Sequence, residues 1–240
     1  MPKRPTSQNL THRIVQDLGI AVVSGQYSKD NPFPVEADLC RQYGASRSVL
    51  REAVKMLTAK GLLRARPRQG TWVQPEEHWN LLDPDVLRWL LQRKPWLQLL
   101  IEFTQVRLAV EPGAAALAAE VAGPAEKAAV QEALGRMIAA ESGGGDDRLA
   151  SDIAFHVAIL SASGNKFFGQ LRELIGTALR FSIRITNRGK GVRLASVADH
   201  KKVADAITAG KPEVAAEAMR ILIRKVLVLV AAERDRLTKK

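Results

Sequence analysis

The chain has 240 residues, 46% hydrophobic and only 5% aromatic, a balance that allows two compact domains and favours helices over sheet. A formal net charge of +11 points to a polyanionic partner, and the 12 Lys and Arg against 7 Asp and Glu in residues 1–77 make the positive charge densest in the first third. No apolar run approaches the roughly 20 residues that span a bilayer. The start, MPKRPTSQNL, lacks an apolar stretch, and the single cysteine, Cys40, excludes an internal disulfide framework and a cysteine-based zinc cluster, so a cytoplasmic protein is expected.

In chain order, Ile14, Leu18, Ala21 and Val22 predict a helix over 10–24, stopped by Gly25. EADLCRQYG (36–44) predicts a short second helix. ASRSVLREAVKMLTAKG (45–61) predicts a third, capped by Ser46 and ended by Gly61, with Val49, Leu50, Ala53, Val54 and Leu57 inward. LLRARPRQGTWVQP (62–75) predicts two short strands about a basic turn. Residues 78–96 read as a connector with its own short helix, which Asp83 caps and Pro84 enters. The remainder predicts long helices at about 97–121, 125–141, 146–162, 167–187, 194–209 and 213–236, separated by Gly- and Pro-bearing breaks. The expected fold is mainly α: an N-terminal winged helix-turn-helix (three helices plus a β-ribbon wing) over 1–77, a linker over 78–96, and an all-α antiparallel helical bundle for effector binding and dimerisation over 97–240.

A helix-turn-helix lays its second helix in the major groove, where the first residues of that helix reach bases and phosphates. Here those residues are Ser46, Arg47, Ser48 and Arg51. An arginine there can fork onto guanine, and serine hydroxyls with free amides can hold a phosphate. Arg64, Arg66, Arg68, Gln69, Gly70 and Thr71 form the basic turn of the ribbon, suited to a phosphate track or a minor groove. A solvated basic helix face and a solvated hairpin are the plainer readings of each part alone. Helix pair followed by wing is the more specific pattern.

The stretch FPVEADLCRQYGASRSVLREAVKMLTAKGLLRARPRQGTWV resembles the N-terminal signature of the GntR family: a proline before helix two, an S/T-R-x-x-V/L-R-E-A-L core and a basic G-T-x-V wing. The resemblance implies that Ser46, Arg47, Ser48, Arg51 and Gly70 contact DNA. Many relatives carry arginine where this chain has Ala37, which removes one contact and implies a different operator. VRLAVEPGAAALAA (106–119), DIAFHVAILSASGN (152–165) and DHKKVADAITAGKPEVAAEAM (199–219) resemble the effector domain of the fatty-acid-regulator subfamily. In that subfamily an Asp and three His hold a divalent metal that ligates an organic acid. The matching residues are Asp152, His156 and His200. The first two stand at i,i+4 and share a helix face, while Leu222 falls where the last histidine is expected. At most three protein ligands therefore remain, for zinc or another first-row divalent ion, or for direct effector binding without metal.

Arg107, four residues before Glu111, is the expected clamp on an effector carboxylate; an intrahelical ion pair with Glu111 is its plainer reading. Arg180 and Arg184 are candidates for a second cationic group, and Asn165 is read as a helix terminator. The linker HWNLLDPDVLRWLL (78–91) resembles the galactonate-operon repressor branch of the family, which implies a hexonate-type effector. The expected protein is a homodimeric repressor of sugar-acid catabolism genes, bound to a pseudo-palindromic operator and released by a small carboxylate. A different organic acid, a helical metalloenzyme using Asp152, His156 and His200, and an architectural DNA-binding protein stay open at this point.

Overall fold

Ser46 and Asp83 cap their helices, as expected, in the computed structural model of the chain. It describes residues 7–28, 30–66, 69–93, 97–142, 147–188 and 196–238, with the side chains of 7–9 and 183–188 left aside. The chain divides into two compact units, 1–94 and 95–240.

The first unit holds α1 (Ser7–Val23), α2 (Glu36–Tyr43), α3 (Arg47–Ala59), strands β1 (Leu63–Arg66) and β2 (Gly70–Val73), a 3-10 turn (Glu76–His78) and α4 (Pro84–Gln92). Ser46 caps α3 by accepting from the Val49 amide, and Gly44 ends α2 in the left-handed region. Gly61 (φ +77°) turns the chain into β1. A side chain there would also meet the His78 carbonyl oxygen at 2.2 Å, so glycine is required twice over. The core joins Ile14, Leu18 and Val22 of α1 to Leu39 of α2 and Leu50, Ala53 and Leu57 of α3. The ribbon is antiparallel, Leu63 opposite Val73 and Arg66 opposite Gly70.

The helix expected within a connector is part of this unit. Trp89 of α4 is buried against α1, its indole N–H donating to Gln16 at 2.8 Å. Gly19 makes room, because a Cβ there would stand 2.5 Å from the Trp89 ring. Beyond the end of α3, Lys60 reaches Asp83 at 2.8 Å and Asp85 at 2.9 Å, and lies 5.8 Å from the Trp89 ring. Burial alone would lower the Lys60 pKa and raise that of Asp85. Their hydrogen bonds and opposite charges outweigh burial, so Lys60 is raised and Asp85 lowered.

The second unit is helical throughout its described residues: α5 (Leu97–Val121), α6 (Pro124–Glu141), α7 (Arg148–Ala162), α8 (Lys166–Gln170), α9 (Arg172–Arg188), α10 (Val197–Thr208) and α11 (Pro212–Thr238). α5 packs along α11 and against α7, while α6 packs on α7 and α10. The helix expected over 167–187 is instead two, α8 and α9, parted at Leu171. Asn165 starts α8 as its N-cap, accepting from the amides of Phe167 and Phe168, rather than ending a helix. α5 runs on through Pro112, which lacks the N–H that the Leu108 carbonyl would accept. Among the described residues no helix is long and apolar enough to cross a membrane.

Two outcomes are expected. Gly19→Ala forces a methyl into the Trp89 ring and costs about 1–3 kcal/mol by chemical denaturation. Lys60→Met leaves the half-buried Asp83 without its cationic partner, while Asp85 keeps Arg88, and costs about 1–3 kcal/mol at neutral pH. The contribution of Asp85, whose folded pKa is lowered, is present above the ordinary carboxylate range and lost as pH falls through that lowered value. Calorimetry of the variant is therefore expected to show a flatter loss of melting temperature on acidification than wild type.

Candidate functional site

The start of α3 is open to solvent. Arg47 and Arg51 have side chains 76% and 65% exposed, and Ser46 and Ser48 are exposed with their hydroxyls 2.9 Å apart. Glu36, at the start of α2, reaches back to both arginines: Arg51 Nε donates to it at 3.0 Å and Arg47 Nε lies 3.9 Å away. In the free protein this carboxylate partly neutralises the face that would meet DNA. The sequence offered no signal for this contact beyond the acidic residue itself, because it joins two helices.

On the ribbon, Arg64 and Arg66 project from alternate positions of β1 and are exposed, as are Gln69 and Gly70; Thr71 is half-buried. The Arg66 guanidinium lies 5.8 Å from the Trp72 ring. Gly70 (φ +86°) has nothing within 4 Å of where a Cβ would be, so the turn offers bare backbone to a close-approaching surface. Arg68 lies outside the described residues.

The second unit gathers its polar groups in the interior. Arg107 and Glu111, one turn apart on α5, have side chains only 1% exposed and pair at 2.5 Å, as the plainer reading of Arg107 holds. Glu111 also accepts from His156 Nδ1 of α7 at 2.5 Å, and Arg107 Nη2 lies 3.4 Å from both ring nitrogens of His156. Burial would raise the Glu111 pKa; the charges and hydrogen bonds of Arg107 and His156 instead hold it at about 2. One turn before His156, Asp152 faces His200 of α10, Oδ1 to Nε2 at 3.1 Å. Burial would also raise Asp152, but His200, His156 and Arg107 together lower it. The sequence suggested Glu111 only as the partner of Arg107. Its link to His156 crosses between helices and is invisible in spacing. Arg180 is exposed on α9 and so is not one of these buried groups; the side chain of Arg184 lies outside the described residues.

Asp152, His156 and His200 each offer a ligand atom within 4.8 Å of the others, all buried. The hydrogen bonds around them suit a cation. Glu111, acceptor-only when ionised, assigns the His156 proton to Nδ1, and the Ser196 carbonyl, 3.2 Å from His200 Nδ1, does the same for His200. Both Nε2 atoms are thus left with lone pairs. His200 Nε2 has no hydrogen-bond partner although a carboxylate oxygen stands 3.1 Å away, a spacing close to the ~3 Å between neighbouring ligands of one zinc-sized ion. Among the described residues the other buried side-chain atom without a hydrogen-bond partner is Arg107 Nη1. Leu222, where a fourth ligand is expected, is buried on α11 and offers no donor.

An exposed basic recognition helix with a wing, followed by a helical unit that hides its polar groups, defines a DNA-binding regulator with an effector domain. Residues 10–73 match "Bacterial regulatory proteins, gntR family" and residues 102–225 match the "FCD domain", and the chain belongs to the GntR family of transcription regulators. It is 36% identical to the galactonate operon transcriptional repressor of Escherichia coli (strain K12) over 203 residues, 83% of this chain and 87% of that protein. It is 30% identical to the transcriptional regulator LutR of Bacillus subtilis (strain 168) over 75% of this chain and 83% of LutR. Among solved structures, the Listeria monocytogenes regulator Lar aligns with a TM-score of 0.56 at 17% identity, covering 96% of this chain and 99% of Lar. Streptococcus agalactiae GntR aligns at 0.51 and 21% identity, covering 90% and 98%. These two likenesses show the fold alone. The family and the relatives are regulators, which removes the metalloenzyme alternative.

Arg47→Ala is expected to lower operator affinity about 5- to 100-fold, one lost base contact of roughly 1–3 kcal/mol, with an unchanged circular dichroism spectrum. Glu36→Gln is expected to act in the opposite sense. Freeing Arg51 raises affinity for random duplex DNA and steepens the salt dependence by about one unit of slope, read by fluorescence anisotropy between 50 and 200 mM salt.

Proposed function

We propose that the protein is a homodimeric operator-binding repressor of sugar-acid catabolism genes, released by a small carboxylate of the hexonate type. Ser46, Arg47, Ser48 and Arg51 of α3 enter the major groove, and Arg64, Arg66, Arg68, Gln69, Gly70 and Thr71 of the wing follow the adjacent backbone. The two-fold pairing of two such heads gives a pseudo-palindromic site. The galactonate operon transcriptional repressor, at 36% identity, supports the effector class.

The observation that carries the effector reading is the pair of unpartnered atoms in one buried cluster, Arg107 Nη1 and His200 Nε2. A buried polar group without a partner costs about 1–3 kcal/mol. A bound divalent ion and an anionic ligand relieve both at once. Asp152, His156 and His200 would hold the metal, zinc by its nitrogen and oxygen ligands, and the metal would supply Lewis-acid attraction for a carboxylate or hydroxyl oxygen. Glu111 orients His156, Ser196 orients His200, and Arg107 balances the carboxylates while keeping one donor for the effector.

Effector binding would shift the helical unit between two arrangements, by no more than its difference in affinity for them. Residues 76–93 are packed into the first unit, so the DNA-binding heads would move as bodies that include α4.

Anisotropy titration of the protein on duplex DNA from its own promoter tests the function. Galactonate or a related hexonate is expected to weaken binding at least 10-fold, and the neutral parent sugar is expected to leave it unchanged. Promoter binding that no sugar acid alters would sink the effector assignment. The metal is tested separately: added zinc is expected to raise the melting temperature of chelator-stripped protein by roughly 5–10 °C, as ~100-fold excess over Kd stabilises by about 2.7 kcal/mol. The shift is expected to vanish in His200→Ala. A wild-type chain that zinc does not stabilise would leave direct effector binding by Arg107 and the histidines.

A further inference from the structure

One face of α11 is apolar, exposed and regular. Val214, Ile221 and Val228 are 54%, 44% and 67% exposed, on the side of the helix away from the buried Ala215, Met219, Ile223 and Val230. They stand seven residues apart. A step of seven residues returns to within about 20° of the same direction on an α-helix, so the three form a nearly straight ridge about 21 Å long. All three are β-branched and lose little rotamer freedom when covered.

The spacing is symmetric about Ile221, and the charges that flank it on one side of the ridge are of opposite sign, Glu217 before it and Arg224 after it. We propose that this ridge is the two-fold dimer contact of the helical unit, with α11 lying antiparallel against α11 of a second copy. The proposal rests on the homodimer reading above and assigns it a surface. A two-fold axis beside Ile221 sets that residue against Ile221 of the partner subunit and Val214 against Val228 of the partner subunit. Glu217 and Arg224 project from one flank of the ridge, four residues before its centre and three after it. The same axis brings Glu217 to the level of Arg224 of the partner subunit, within about one residue's rise of 1.5 Å, and does so twice.

On the other flank the small Ala218 faces Lys225 of the partner subunit; within its own protomer Lys225 is tied to Asp199 at 2.7 Å. A parallel two-fold pairing would bring opposite flanks together, setting Arg224 beside Lys225 of the partner subunit and Glu217 beside Ala218 of the partner subunit. It places like charges together and forms no opposite-charge pair, so the charges select the antiparallel arrangement.

The full-length protein tests this by sedimentation velocity and engineered cysteines. Wild type is expected to sediment as a dimer. Ile221→Arg is expected to raise the dimer dissociation constant at least 100-fold with the helical circular dichroism spectrum intact. Arg224→Glu is expected to weaken the dimer about 10-fold, and the double swap Glu217→Arg with Arg224→Glu to restore it. In a Cys40→Ser background, Ile221→Cys is expected to form a disulfide-linked dimer on mild oxidation. Val228→Cys alone is expected not to link, yet to link when mixed with Val214→Cys. A dimer that survives Ile221→Arg, or an Ile221→Cys chain that stays unlinked, overturns the surface while leaving the dimer standing. A wild-type chain that sediments as a monomer, free and on DNA, removes the dimer reading and this surface with it.

Discussion

A guanidinium with almost no contact with water must find its counter-charge inside the protein, and in the second unit that need organises the interior. Arg107 is matched by Glu111 one turn on, and Glu111 is shared with His156 across the gap from α5 to α7. Removing Arg107 or Glu111 would leave the other's charge in a medium of low dielectric, where breaking a pair costs about 3–5 kcal/mol. The network therefore holds α5 and α7 in register and fixes the tautomer of a histidine that points its other nitrogen toward Asp152 and His200. Apolar packing of equal volume would be at least as stable. Retention of so much charge in a bundle core suits a site that binds something charged.

The first unit uses charge the other way. Its arginines stand in water, where single ion pairs are worth little, and Glu36 holds two of them without burying either. An exposed cationic face costs the fold almost nothing and stays available to phosphate. The partly buried ion cluster in this unit, Lys60 with Asp83 and Asp85, sits at the junction of α3 and α4, where it fastens the post-wing segment to the helices. The wing lies between two anchored points, Gly61 at its start and the Trp79 indole bonded to the Gln74 carbonyl at its end.

These two uses of charge suit a regulator: an exposed cationic face in the DNA-binding part, and charged groups gathered inside the part that matches the family's second domain. The family relationship agrees with both, since the GntR match covers the first unit from α1 through β2 and the FCD match covers most of the second. Leu222 stands where the resemblance implies a further ligand. It packs as an apolar core residue on α11 and offers no donor, so among the described residues the buried candidate ligands are Asp152, His156 and His200.

Much of this was legible in the sequence because local rules carry it. Apolar periodicity, Ser46 and Asp83 as caps, and glycines at helix ends follow from backbone geometry and short-range hydrogen bonds, so element order and type could be read directly. The i,i+4 spacing placed Asp152 beside His156 and Arg107 beside Glu111 for the same reason. The split of α8 from α9 at Leu171 escaped because Leu171 keeps right-handed helical dihedrals and is itself neither glycine nor proline, and Asn165, directly after Gly164, fits a helix end and a helix start alike. The resemblance already brings Asp152, His156 and His200 together; what only the tertiary structure decided is which other groups meet across helices: Glu111 with His156, Glu36 with Arg51, Lys60 with Asp83. Those contacts depend on how apolar faces dock, a long-range choice made by the core as a whole, and no spacing along one helix contains it.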